Sequence, residues 1–319
     1  MKKFMNIKIL FKCYMLFFCS CFFANSHPPF PIGFSIPEIK IVTEIPHKDK
    51  DFAHIIPGNR KTYIYNSELD YYNDYRRSYY AFTWKKCGWD CMRHYEILAS
   101  GCIPYFTNLE KCNPNTMHFL PKDLIKEAMQ LEGVSYGKID HTKFNIERYY
   151  EILNQLLEHT RNYLTTRSMA QYFLDSINYS GNGKILFLSR SLSPDYMKEC
   201  LLIGLKEILG DRVIDALKID YIYTNYPRDT KKLYGKGFSY TKIIEDLPVD
   251  RSNLEQRIQN KEFDLIIYGS VHRSCPFHET VKKYYEPEKI IYVCGEDCHT
   301  CSFVNVNTLF LREYDAFKG

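Results

Sequence analysis

The chain has 319 residues, of which 45% are hydrophobic and 25% are charged, and its formal net charge is +4. This length holds one large domain or two ordinary ones, and the hydrophobic content is sufficient for a real core. The charge is too small to create the positive field of a nucleic-acid-binding protein, so we expect no nucleic-acid partner.

Residues 1–26 differ from the rest of the chain. Lysines precede an uncharged run over 13–24, and Ala24 and Ser26 occupy the small-residue positions of a signal-peptidase site. The run of about 12 apolar residues is short of the roughly 20 that span a bilayer. We therefore predict a secretory signal peptide or a short N-terminal anchor, which implies the secretory pathway or membrane association. The alternative is an ordinary extension, or a wrongly chosen start codon, on a cytoplasmic protein.

Residues 27–60 are predicted to form an extended, proline-rich lead-in. The segment His27–Pro37 reads HPPFPIGFSIP, and prolines at this density prevent a helix. Residues 43–61 are charged and are interrupted by Pro46 and Pro57, which favours a loop.

Residues 61–180 are predicted to form a first α/β domain. The most informative stretch is Tyr79–Phe106, whose pattern indicates a strand, a loop, a helix, a tight turn and a second strand. The predicted elements up to this point are a strand at Lys61–Tyr65, a helix or turn at Glu68–Arg77, and strands at Tyr79–Trp84 and Ile103–Phe106.

Local signals define the helix inside this stretch. Tyr95, Leu98 and Ala99 recur at helical spacing and give the helix one face to bury. Gly101 follows, where the end of a helix most often needs a residue that tolerates positive φ. Pro104 then prevents the helix from resuming.

Arg93 and Glu96 lie one turn apart on the same helix, so their side chains can point into the same space. A guanidinium donates in a fixed fork to phosphate oxygens, and a carboxylate accepts from a vicinal diol. The pair therefore suits a diphosphate beside a sugar. The alternative is an ordinary surface pair on an amphipathic helix, worth a few tenths of a kcal/mol.

Arg93, Glu96, Gly101 and Pro104 form the run R-x-x-E-x-x-x-x-G-x-x-P, which resembles the donor-binding half of GT-B glycosyltransferases, particularly exostosin-like ones. In that family the strand–helix–strand unit lies against a nucleotide-sugar. The resemblance implies that Arg93 holds the diphosphate and that Glu96 holds a ribose or sugar hydroxyl. It also implies that no bound metal is required, so the nucleotide-sugar donor is a substrate and no cofactor is expected.

Two helical segments complete the first domain. Pro121–Met129 has a proline in its first turn and an apolar face, and Ile146–Ile177 is predicted to be one long helix or two consecutive ones. Asn178–Lys184 (NYSGNGK) is rich in glycine and asparagine and gives the best domain boundary in the chain.

Residues 184–319 alternate apolar runs with helical patterns, which predicts a second α/β domain with a parallel sheet covered on both faces. A helix is predicted to begin at Ser193-Pro194 and to end at Gly210. No G-x-G-x-x-G follows the first strand, so a dinucleotide fingerprint is absent from the sequence. The predicted strands are Ile185–Ser189, Ile219–Thr224, Asp264–Tyr268 and Ile290–Cys294, and Leu254–Ile258 belongs to a further helix.

Ligands of such sheets bind at the carboxyl ends of the strands, where this sequence places several titratable residues. His272 could act as a general base that takes a proton from an acceptor hydroxyl. Glu296 and Asp297 follow the last predicted strand and are further candidates for catalysis. We predict that His272→Ala lowers turnover more than stability; the alternative is a histidine in a structural hydrogen bond.

Short cysteine spacings leave a third class of function open. Cys294, Cys298, His299 and Cys301 form C-x3-C-H-x-x-C. Cys87 and Cys91 form another C-x3-C just before the helix that carries Arg93. Paired ligands at short spacing can bind zinc, although these are not the spacings of common fingers. Buried thiols are the alternative, as is a disulfide between Cys298 and Cys301 in an oxidising compartment.

We therefore expect an α/β protein with two Rossmann-like domains in a GT-B-like arrangement, with the donor-like half first. The resemblance implies a glycosyltransferase-like protein that transfers a sugar to an unidentified glycan, protein or lipid acceptor. Lys85 and Lys86 follow the first strand of the donor-like unit and could add charge at the phosphates, or could be solvated loop residues. The alternatives are a non-catalytic nucleotide- or glycan-binding protein and a cysteine-rich redox or zinc protein.

Overall fold

The computed structural model describes residues 28–190, 193–297, 301 and 306–314. The predicted leader, residues 1–26, lies outside the described residues. The strands are β1 (Phe30–Pro31), β2 (Lys50–Phe52), β3 (Ser78–Thr83), β4 (Ile103–Phe106), β5 (Val134–Ser135), β6 (Lys138–Ile139), β7 (Lys184–Leu188), β8 (Val213–Ala216), β9 (Phe263–Tyr268), β10 (Ile290–Cys294) and β11 (Leu309–Leu311). The α-helices are α1 (Glu68–Arg76), α2 (Met92–Ala99), α3 (Lys122–Met129), α4 (Ile146–Tyr163), α5 (Thr166–Ser176), α6 (Tyr196–Leu209), α7 (Leu254–Gln259) and α8 (His278–Tyr284).

The fold is α/β and is built on two parallel sheets. The larger sheet has the strand order β1-β11-β10-β9-β7-β8, and each of its pairings is parallel. One of its faces packs in the same core as α5 and α6, and the other packs in the core that holds Ile258 of α7 and Val281 of α8. Both faces are therefore buried, which explains why its central strands read as continuous apolar runs.

The smaller sheet holds the strand order β2-β3-β4, again parallel, and β5 and β6 form a separate antiparallel hairpin. In its central unit, β3–α2–β4, the two strands lie within one residue of the predicted strands, and α2 lies between them as predicted. Gly101 has φ +67° at the helix end, where a Cβ would lie 3.1 Å from Cδ of Pro46. The positive φ explains the glycine at this turn.

The long helical segment predicted at Ile146–Ile177 consists of two consecutive helices, α4 and α5, which was one of the two predicted alternatives. α5 packs closely on α6, so the end of the first half lies against the second half. Gly204 of α6 makes this approach possible, because a Cβ there would lie only 2.0 Å from the carbonyl oxygen of Thr166.

Two strand predictions were wrong. Lys61–Tyr65 is not a strand, because a 3-10 turn at Arg60–Thr62 takes its place. Ile219–Thr224 contains a 3-10 turn at Asp220–Ile222, and the strand of this region is β8 instead. β8 was missed because it carries Asp215, whose buried carboxylate pairs with cations outside the strand.

Several elements were missed or shifted. β1 and β2 lie inside the predicted lead-in and join the two different sheets, and β11 and α8 had no clear periodic signal. α6 begins at Tyr196, after the predicted start at Ser193-Pro194, and ends at Gly210 as predicted, with φ +61°. Within the described ranges, no helix is both long enough and apolar enough to cross a membrane.

Candidate functional site

A cleft of about 690 Å³ lies between loops of the two halves of the chain. The first half contributes the start of α2 and the loop before it. The second half contributes the start of α6, the segment around Lys236, and Asp297. Four of the sequence-predicted site residues line this cleft: Lys86, Arg93, Glu96 and Asp297.

Arg93 presents a half-buried guanidinium to the cleft from the first turn of α2. It donates to the hydroxyl oxygen of Tyr63 at 3.2 Å, and its Nη1 lies 3.7 Å from Sγ of Cys91. It forms no ion pair with any carboxylate in the described part of the chain. No described carboxylate therefore neutralises the guanidinium, which lies beside the Cys91 sulfur and can bind an anionic ligand from the cleft.

Glu96 lies one turn further along α2 and is only 5% exposed. Its Oε2 accepts from the hydroxyl of Tyr71 at 2.6 Å, and its Oε1 accepts a short hydrogen bond from the hydroxyl of Ser239. Burial raises the pKa of Glu96, whereas these two hydrogen bonds and the charge of Arg93 act to lower it. The carboxylate faces the cleft and also fastens a loop of the second half to α2.

Ser239 belongs to a segment whose backbone is repeatedly left-handed. Its φ is +76°, and Lys236 has φ +59° between two glycines. The Ser239 amide donates to Oε1 of Glu68 at 2.6 Å, and Lys236 Nζ donates to Oδ1 of Asn66 at 2.9 Å. The second half therefore approaches the first half through several polar contacts around one wall of the cleft.

The two predicted phosphate lysines behave differently. Lys86 is exposed and lines the cleft. Lys85 is outside the cleft lining, and its Nζ lies 5.4 Å from the centre of the Trp89 ring. Gly101 and Pro104 are also outside the lining, because they set the turn and the strand behind α2. The structure therefore brings Lys86 together with Arg93 and Glu96, but not Lys85.

His272 lies at the carboxyl end of β9, as predicted, inside a closed polar cluster. Its Nε2 lies 3.1 Å from Oδ2 of Asp195, and its Nδ1 accepts from the Gly295 amide at 3.3 Å. Both ring nitrogens are engaged, the side chain is 7% exposed, and it does not line the cleft. This geometry fits the structural alternative stated for His272.

Asp195 is the centre of that closed cluster and was not anticipated from the sequence. Its Oδ2 also accepts from the hydroxyl of Ser270 at 2.6 Å. Burial acts to raise its pKa, but hydrogen bonds from His272 and Ser270 and nearby positive charge lower it to about 2. The only hint in the sequence was its place just before α6, where acidic residues are common.

Glu296 and Asp297 separate in space. Glu296 is half-buried and accepts from the backbone amide of Asp297 at 3.0 Å. The Asp297 side chain is 51% exposed, lines the cleft, and pairs with the fully buried Arg312. Arg312 in turn donates to the carbonyl oxygen of Asp90 at 2.8 Å, so this ion pair also connects the halves.

The cysteines singled out in the sequence lie in different surroundings. Cys294 and Cys301 are buried, whereas Cys298 and His299 of the C-x3-C-H-x-x-C run lie outside the described residues. Cys87 and Cys91 both line the cleft. Within the described ranges, no group of three or more His, Cys, Asp or Glu side chains is placed to hold a metal ion.

Comparisons with protein-family models, with curated proteins and with solved structures find no match to this chain. The geometry of the cleft and the motif at 93–104 are therefore the observations that bear on function.

Proposed function

We propose that the cleft binds a nucleotide-sugar and that the protein is glycosyltransferase-like, transferring a sugar to an acceptor. The observation that carries this proposal is the position of Arg93 and Glu96 on one wall of one cleft, with the guanidinium unpaired by any described carboxylate. In the described chain no side chain caps the first amides of α2, and a free helix N-terminus attracts phosphate oxygens.

We also propose that the two sheets are the two Rossmann-like halves of a GT-B-like arrangement, with the donor-like half first. The parallel strand order of both sheets supports this assignment, as does the cleft between loops that follow them. The packing of α5 on α6 also supports this assignment, because α5 is the last helix of the first half and contacts the second half.

In this proposal each cleft residue has a separate role. Arg93 and Lys86 offset the charge that develops on the diphosphate leaving group, and Glu96 accepts from a ribose or sugar hydroxyl. Asp297 faces them from the second half and is the general base for the acceptor hydroxyl. No step requires a metal ion, as the family resemblance implies.

One observation favours a non-catalytic nucleotide- or glycan-binding protein as the second candidate. Both oxygens of Glu96 already accept hydrogen bonds, from Tyr71 and from Ser239. A ligand hydroxyl must use the remaining lone pairs or displace the serine. Such a site can bind without being arranged for transfer.

A thermal-shift screen with uridine, guanosine and adenosine nucleotide-sugars tests both candidates together, since a ligand bound only by the folded state raises the midpoint. A rise with one nucleotide class supports the proposal, and no rise with any of them at millimolar concentration contradicts it. Transfer and hydrolysis assays with the bound donor then separate an enzyme from a binding protein.

A further inference from the structure

Cys91 stands out among the thiols of the described chain because of what surrounds it. It is half-buried, lines the cleft, and occupies the position directly before the first turn of α2. Its Sγ lies 3.7 Å from Nη1 of Arg93 and 3.5 Å from Nε2 of His94. Two cationic or protonatable groups and a helix N-terminus therefore surround one sulfur that ligands can reach.

The histidine beside this sulfur is held in place. His94 is fully buried, its Nε2 lies 2.8 Å from the carbonyl oxygen of Trp89, and its Nδ1 lies 3.0 Å from Oγ1 of Thr83. A carbonyl oxygen can only accept, so Nε2 carries a proton on the side of the ring next to Trp89. That hydrogen is directed at Trp89, so the imidazole acts on Sγ through its fixed position and its charge when protonated.

These neighbours alter the acidity of the thiol. Burial acts to raise the pKa of Cys91, but His94 and Arg93 together lower it to about 7. Burial raises the pKa of Cys102 and of Cys200 to about 12, and neither residue lines the cleft. Cys87, which does line the cleft and is exposed, is the natural comparison for Cys91.

We propose that Cys91 is a nucleophilic modification site at which soft electrophiles and hydrogen peroxide entering the cleft react. With iodoacetamide, the sulfur displaces iodide and a carbon–sulfur bond forms. With hydrogen peroxide, the sulfur attacks one oxygen, the oxygen–oxygen bond breaks and hydroxide leaves. The thiolate is then oxidised by two electrons to a sulfenic acid, and the peroxide is reduced. This site requires no nucleotide-sugar, so it extends beyond the proposed function.

The test is the rate of iodoacetamide labelling of the full chain between pH 5.5 and 9.5, followed by intact mass and peptide mapping. We expect Cys91 to label first, with a half-maximal rate near pH 7. At pH 7 it should react about fivefold faster than an ordinary thiol, because its larger thiolate fraction outweighs its lower intrinsic nucleophilicity. Arg93→Gln should move the half-maximal pH upward.

Matched variants locate the reaction. Cys91→Ser should lose the fast phase and Cys87→Ser should keep it, with folding of each checked by its thermal midpoint. Mapping of the labelled wild-type protein identifies the sulfur even if a variant fails to fold. Fast labelling that maps to another cysteine, or a half-maximal rate for Cys91 near pH 9, would overturn the proposal.

Discussion

Two polar clusters lie beyond the carboxyl ends of parallel strands in this protein, and they differ in what their charged groups contact. The cluster around Asp195 and His272 is closed, because each polar atom described above meets a protein partner inside it. The cluster around Arg93 faces a cleft of about 690 Å³ with a cation that no described carboxylate pairs. Position at a strand end is therefore insufficient to identify a site; an unused charge beside an open volume is the better criterion.

The largest expected effect separates the two carboxylates that the sequence placed together. Asp297→Asn removes the proposed base on the cleft wall and should lower turnover by about 10²-fold or more, with little change in donor affinity. Steady-state transfer kinetics with the donor found by screening would measure it.

Glu296→Gln is the matched control, because Glu296 is the neighbouring carboxylate outside the cleft lining. Equal losses in the two variants would mean that Asp297 has no separate chemical role.

In the closed cluster the expected effect is on stability. His272→Ala removes one partner of Asp195, which keeps the hydrogen bond from Ser270, and leaves the Gly295 amide without its acceptor. The change should lower the free energy of unfolding by about 1–3 kcal/mol. Turnover measured below the unfolding transition should stay within about threefold, since the imidazole does not line the cleft. This reverses the order of effects predicted from the sequence alone.

The loss of stability is measured by denaturant unfolding and the change in turnover by steady-state kinetics, both on the same His272→Ala preparation. His141→Ala, at an exposed histidine, serves as the control for stability. A large loss of turnover in a stably folded His272 variant would return His272 to the mechanism.

A further effect should appear in the pH dependence of stability. Glu199 is fully buried beside Asp195, and burial raises its pKa to about 7, although Lys198 acts to lower it. A carboxyl whose pKa is higher in the folded state stabilises the fold fully below about pH 4.5, and that contribution is lost as the pH rises towards 7. A rise of about two and a half pKa units corresponds to a loss of about 3 kcal/mol.

Thermal midpoints between pH 5 and 8 test this sign. The wild-type midpoint should fall over that range, and Glu199→Gln should flatten the fall, whereas Glu158→Gln at an exposed position should leave it unchanged. A steeper fall in the Glu199 variant would contradict the assignment.

The parts of the fold that could be predicted are those encoded locally. β3, α2 and β4 followed from a helical face, a glycine and a proline within one short stretch, and Arg93 and Glu96 followed from helical spacing. Buried runs such as β9 and β10 were also recognisable, because strands covered on both faces are continuously apolar.

The parts that could not be predicted depend on distant residues. β1 is two residues long and pairs with β11 near the other end of the chain. Ser239 contacts Glu96 across 143 positions, and no local sequence pattern indicates a contact at that separation. β8 was not recognised as a strand because it contains Asp215. A buried carboxylate there is stable only when it pairs with Lys206 and Arg251, which lie outside the strand.

The most direct test of the central claim is calorimetric titration of wild-type protein and Arg93→Gln with the nucleotide-sugar found by screening. Loss of charge-assisted hydrogen bonds to the diphosphate should weaken binding by about 10- to 100-fold, while the thermal midpoint of the free protein changes little. Arg148→Gln, on the surface of α4, should bind like wild type. Unchanged affinity in a folded Arg93→Gln protein would contradict the account, because the cleft would then not recognise the diphosphate through this guanidinium.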